Sequence, residues 1–139
     1  MTKFIELFDA VDIVSNATLG ENRAIINRET GKILCSMEAA GIDEIGDADI
    51  DGELEKWEEI PHKKYLGLGM NLVFEFIEAR LPAKFNYVEK IFHRSGAYSA
   101  FKDLLDSAGL LQAWYDFEEA RTEEALRIWC RDNGIKLED

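Results

Sequence analysis

The chain has 139 residues, 28 acidic against 16 basic side chains, and 47% hydrophobic residues. That size and apolar fraction fit one domain around a single core and exclude a wholly disordered chain. A net charge of −12 opposes direct binding to DNA or RNA, and no run of about 18 uncharged apolar residues exists to span a membrane.

The charge is unevenly spread. Residues 1–60 hold 15 acids and 5 bases, a net of −10, while residues 61–139 hold 13 and 11, a net of −2. Nine acids and a single Lys fall within 43–59, DEIGDADIDGELEKWEE. Compatible partners are basic protein surfaces, metal cations, or proteins that themselves bind nucleic acid. The start, Met1 to Glu6, meets acids within a few residues and does not read as the basic start and apolar core of a signal peptide, and Cys35 and Cys130 make no disulfide framework. The expected compartment is the cytosol, with both thiols reduced.

Phe4, Leu7, Phe8, Val11 and Val14 recur at spacings of three and four, which predicts an amphipathic helix over 4–15. Gly20 and Asn22 mark a turn after it. Ala24-Ile25-Ile26 and Ile33-Leu34-Cys35 flank Arg28-Glu29-Thr30-Gly31 and read as a β-hairpin. Residues 38–56 lack periodicity and read as a loop. Trp57 to Ile60 reads as a short edge strand ended by Pro61.

The apolar run Tyr65 to Leu81, polar only at Asn71, Glu75 and Glu78 along one narrow stripe, predicts a central core helix. Pro82 opens the next helix, with Phe85, Val88, Ile91 and Phe92 on its buried face. Ser95-Gly96 ends that helix, and Tyr98, Phe101, Leu104, Leu105 and Ala108 define another, stopped by Gly109. From Leu110 to Asp132 the stripe Leu111, Trp114, Phe117, Ala125, Ile128 and Trp129 weakens at Arg121 to Glu124. One bent helix and two short ones both fit. The expected fold is α+β in a single domain, 1–139. An N-terminal helix, small antiparallel hairpin sheet and acidic loop occupy 1–60, and a dominant helical bundle occupies 61–139.

The run RSGAYSAFKDLLDSAGLLQAWYDFEEARTEEALRIWCRDNGI resembles the signature of a bacterial family known as uncharacterised protein family 158. Glu29-Thr30-Gly31, Ile60-Pro61, Gly96 to Asp103 and Trp114-Tyr115 extend the likeness over most of the chain, the acidic loop at 43–56 excepted. The resemblance implies a cytosolic bacterial protein with a shared fold. It carries no activity and no catalytic residues.

Asp47 to Glu58, DADIDGELEKWE, satisfies a Ca²⁺-loop pattern, with Asp47, Asp49, Asp51, Glu53 and Glu58 as candidate ligands around Gly52. Its flanks are not helices long enough for a helix–loop–helix hand, so a hydrated acidic loop competes with that reading. His93, Arg94 and Ser95 with Lys102 form a candidate anion site, against a plain structural role in which Ser95 caps a helix and Gly96 turns the corner. Tyr115 lies off the stripe of Trp114 and Phe117 and is the candidate partner contact.

His62 and His93 are too few for a standard metal site, and no phosphate loop or nucleophile elbow is present. The expected function is a non-enzymatic module offering its acidic surface to a basic protein partner, with no cofactor beyond weak calcium. The alternatives are a small enzyme with a site near His93, Arg94 and Lys102, a calcium-binding loop, and an acidic mimic that occupies a nucleic-acid-binding protein.

Overall fold

The computed structural model describes residues 2–16 and 21–138. Gly20, expected in the first turn, lies outside them. The fold is α+β with helix dominant. The chain forms two compact units, one of Met1–Leu66 with Glu123–Asp139 and the other of Gly67–Thr122.

In the first unit, β1 (Thr2–Lys3) leads into α1 (Phe4–Ser15). Leu7, Ala10, Val11 and Val14 are buried along α1, and Phe4 and Phe8 pack partly against the same core. Full burial of a side chain such as Leu7 or Val11 contributes about 1.5–3 kcal/mol. The hairpin forms as the sequence predicts. β2 (Asn22–Asn27) and β3 (Ile33–Met37) pair antiparallel with Ile25 opposite Leu34. Asn27 organises the turn, its side-chain oxygen accepting from the amides of Glu29 and Thr30, and Gly31 adopts φ 77°.

β4 (Ile42–Asp43) and β5 (Trp57–Glu59) complete a four-stranded sheet in the order β4-β3-β2-β5, so β5 is an edge strand as expected. Ala24 and Ile26 of β2 turn toward α1 and share its core with Ile60, Leu126, Cys130 and Ile135. The sequence signal missed the parallel pair between β1 and β6 (Leu137–Glu138), because two-residue strands carry no period.

Residues 38–56 are not the featureless loop expected. They form a 3₁₀ turn at Glu38–Ala40, then β4, a one-turn helix α2 (Glu44–Asp47), and a 3₁₀ stretch at Asp51–Lys56. Side-chain capping holds these pieces: Asp43 accepts from the Gly46 amide at 3.0 Å and from Ser36 Oγ at 2.7 Å. Capping bonds leave no hydrophobic period for a sequence reading to find.

The second unit stacks helices. α3 (Met70–Arg80) buries Leu72, Val73, Phe76 and Ile77. It starts later than the apolar run, because Gly67 sits at φ 71° and Gly69 occupies the cap, while Lys63–Leu66 is a separate 3₁₀ turn. Pro82 begins a 3₁₀ turn that feeds α4 (Phe85–Ile91), with Val88 and Ile91 buried. In α5 (Ala97–Ser107), Phe101 and Leu105 are buried. The expected Ser95 cap does not form. Gly96 holds the capping position at φ 74°, a left-handed geometry that suits glycine, with no side-chain cap bond.

Residues 111–132 form one helix, α6 (Leu111–Asp132), which settles the choice left open by the sequence. Its residues to Thr122 count with the second unit and those from Glu123 with the first. The stripe does not break at 121–124. It passes through Thr122, Leu126 and Cys130, one turn apart, and leaves Ile128, expected inside, 41% exposed. Thr122 tolerates burial because its hydroxyl donates to the Glu118 carbonyl at 2.7 Å.

Candidate functional site

The acidic segment divides its nine carboxylates by role. Five have partners. Asp43 caps α2, Glu44 accepts the outward amide of Cys35 at 2.8 Å, Glu53 faces Lys56, Glu58 pairs with Arg28, and Glu59 holds Arg23 with two bonds of 2.9 and 3.0 Å. The other four, Asp47, Asp49, Asp51 and Glu55, are exposed, and no described residue forms an ion pair or hydrogen bond with their carboxylates. Hydrogen bonds from Ser36 and the Gly46 amide hold the Asp43 carboxyl below its ordinary pKa. The Arg23 guanidinium is raised, chiefly by its hydrogen bond to Glu59.

Apolar groups sit among these charges. Leu54, flanked by Glu53 and Glu55, is 60% exposed. With Ile45, Ile50, Asp49 and Asp51 it lines a concavity of about 300 Å³. The charge run announced the carboxylates, but not Leu54, because an isolated Leu in an acidic stretch has no period to place it in or out of a core.

The five candidate calcium ligands are not brought together. Asp47 ends α2, Asp49 turns the chain at φ 49°, Asp51 and Glu53 lie in the 3₁₀ stretch, and Glu58 lies in β5 on Arg28. Among the described residues no group of three or more His, Cys, Asp or Glu side chains is arranged to hold a metal.

His93, Arg94 and Ser95 are exposed in the turn between α4 and α5, and Lys102 is exposed on α5. The Lys102 ammonium lies 5.7 Å over the Tyr115 ring. A concavity on this unit is lined instead by Lys84, Tyr87, Asp103, Leu104 and Ser107. Tyr115 is on the surface, beneath that lysine.

A groove of about 530 Å³ in the first unit escaped the sequence reading. Ile60, Pro61, Val14, Tyr65 and Trp129 supply its apolar lining, with Asn22, Arg23, Glu58, Glu59 and His62 also on its wall. Its parts are separated by more than a hundred residues of chain, from Val14 to Trp129, and share no motif. His62 Nδ1 accepts from the Lys64 amide at 3.1 Å, which leaves Nε2 as the ring nitrogen free to donate.

The thiols belong to the packing. Burial pushes Cys130 up to about 11 and raises Cys35 as well, the latter with help from Glu44. No described helix is long and apolar enough to cross a membrane. Searches against family models, curated proteins and solved structures gave no match to this chain.

Proposed function

We propose that this protein is a non-enzymatic interaction module that presents residues 47–55 to a basic surface of a protein partner. The observation that carries the reading is Leu54, 60% exposed beside Asp49, Asp51 and Glu55, whose carboxylates have no partner among the described residues. An exposed apolar anchor beside open carboxylates is the arrangement that gives a contact both affinity and orientation. Open carboxylates keep their hydration until a cationic partner arrives, so they favour lysine- and arginine-rich surfaces and repel phosphate backbones. A bacterial, cytosolic protein of uncharacterised protein family 158 is part of the same proposal, supported by the motif from Arg94 to Ile135.

The test compares wild type with a variant combining Asp47→Asn, Asp49→Asn, Asp51→Asn and Glu55→Gln. Both serve as bait in native-cell extracts, with captured proteins quantified by mass spectrometry. The expected result is a partner with a basic surface, captured by wild type, lost from the variant and lost as salt rises. Equal capture by both baits would remove the acidic surface from the function.

A further inference from the structure

We propose that the partner enters as an extended segment bearing lysine or arginine, which pairs with the open edge of β5 and lies in the groove beside it. This deepens the reading of a basic partner and rests on it. On its inner side β5 is fully used. The Lys56 carbonyl accepts from the Arg28 amide at 2.8 Å, and the Ile60 amide donates to the Ala24 carbonyl at 2.9 Å. In an antiparallel ladder these groups alternate, so the backbone groups of Trp57 and Glu59 point away from β2. The Trp57 amide turns back to the Leu54 carbonyl. The Trp57 carbonyl and both backbone groups of Glu59 have no partner among the described residues. A strand set opposite Glu59 would satisfy all three, and Pro61, with no amide hydrogen, ends the open edge.

The groove lies around the end of this strand, where Asn22 and Arg23 of β2 line it together with Glu58, Glu59, Ile60 and Pro61. Ile60 points to the inner face and joins the core, whereas Glu59 reaches Arg23 on the outer face, yet both line the same groove. Its apolar wall accepts alternate side chains of an extended peptide. Charge favours a cationic occupant through the open carboxylates of the acidic run that leads directly into β5. Glu58 and Glu59 in the groove are already held, by Arg28 and by Arg23, which lines it too. Tyr65, 67% exposed, offers a ring face on which the Lys64 ammonium already sits at 5.1 Å, the geometry an incoming lysine or arginine would use at Tyr65 and Trp129.

Isotope-labelled full-length protein is titrated to millimolar with a blocked peptide of alternating lysine and valine and followed by NMR. Two controls accompany it: the same peptide with alternate amides N-methylated, and a glutamate–valine peptide. The expected result is shifts along Trp57 to His62 and at the Trp129 indole, slowed exchange of the Glu59 amide, weakening by roughly tenfold or more on N-methylation, and no shifts with glutamate. Absence of shifts on β5, or equal binding of the N-methylated or glutamate peptide, overturns strand addition. The fourfold acidic variant separates the two proposals. Peptide pairing that survives in it, with cell-extract capture unchanged, supports the edge and sinks the acidic surface. Charge-dependent capture from extracts with no shift on β5 does the reverse.

Discussion

The Phe101 ring meets the Trp114 indole edge-on, with centroids 5.1 Å apart and planes 87° to each other. Phe76 approaches the same indole at 5.4 Å and 73°, so one tryptophan joins α3, α5 and α6 in the second unit's core. Edge-to-face pairs add to the burial of large rings.

Phe101→Ala and Phe76→Ala each remove a fully buried ring and leave a cavity beside Trp114. Each is expected to lower stability by about 3–5 kcal/mol. Calorimetric or chemical unfolding checks this, and wild-type stability in either variant would mean that α3 or α5 packs another face inward.

Asp43 gives a pH dependence whose sign is fixed. Its folded pKa lies below the unfolded value, because the ionised carboxylate receives Ser36 Oγ and the Gly46 amide. The contribution is therefore full above the usual aspartate range and disappears as pH falls through the folded value. Amide shifts of Gly46 and Ile45 should move together on acidification, and Asp43→Asn should abolish that step. A Cβ at Gly46 would overlap the Asp43 carboxylate, so Gly46→Ala should loosen the same turn at neutral pH.

The thiols should react in order. Cys130 is buried with its pKa near 11, while Cys35 is half-buried. Iodoacetamide at mildly alkaline pH is expected to label Cys35 first and Cys130 only through opening of the core. Peptide mass spectrometry reads the order, and denaturant should erase it. Matching rates in native protein would contradict the placement of Cys130.

Calcium should bind no tighter than roughly 10⁻⁴ M, because Arg28 and Lys56 already engage Glu58 and Glu53, and Asp47, Asp49 and Asp51 must be gathered at an ordering cost. Calorimetry decides it. A dissociation constant near micromolar that vanishes in Glu58→Gln would show that the segment refolds around the ion.

Elements with a period were legible in the sequence. The stripe of α1, the hairpin around Gly31, the edge strand at Trp57 and the stop at Gly109 all stand where side-chain spacing or turn chemistry places them. Elements built from polar bonds were not. Asp43 and Glu44 fix the acidic segment by reaching backbone amides. Thr122 carries the α6 stripe through a region that reads as polar because its hydroxyl is satisfied within its own helix. The candidate site divides the same way. The charge run revealed the four open carboxylates, but Leu54 among them, and the meeting of Glu59, Tyr65 and Trp129, depend on long-range folding that no local pattern encodes.

The first unit is interrupted in sequence by the second, and this sets an order on synthesis. When residues through Thr122 have emerged, every member of the second unit's buried cluster, from Leu72 to Trp114, is already available. The first unit at that moment still lacks Leu126, Cys130 and Ile135, and β1 has no strand to pair with. On the ribosome, the α1 stripe and the inner face of the hairpin can close on each other, but the part of their apolar side that Leu126, Cys130 and Ile135 cover stays open until the last turns of α6 arrive. That interval, more than the finished fold, is where a chaperone would find this chain.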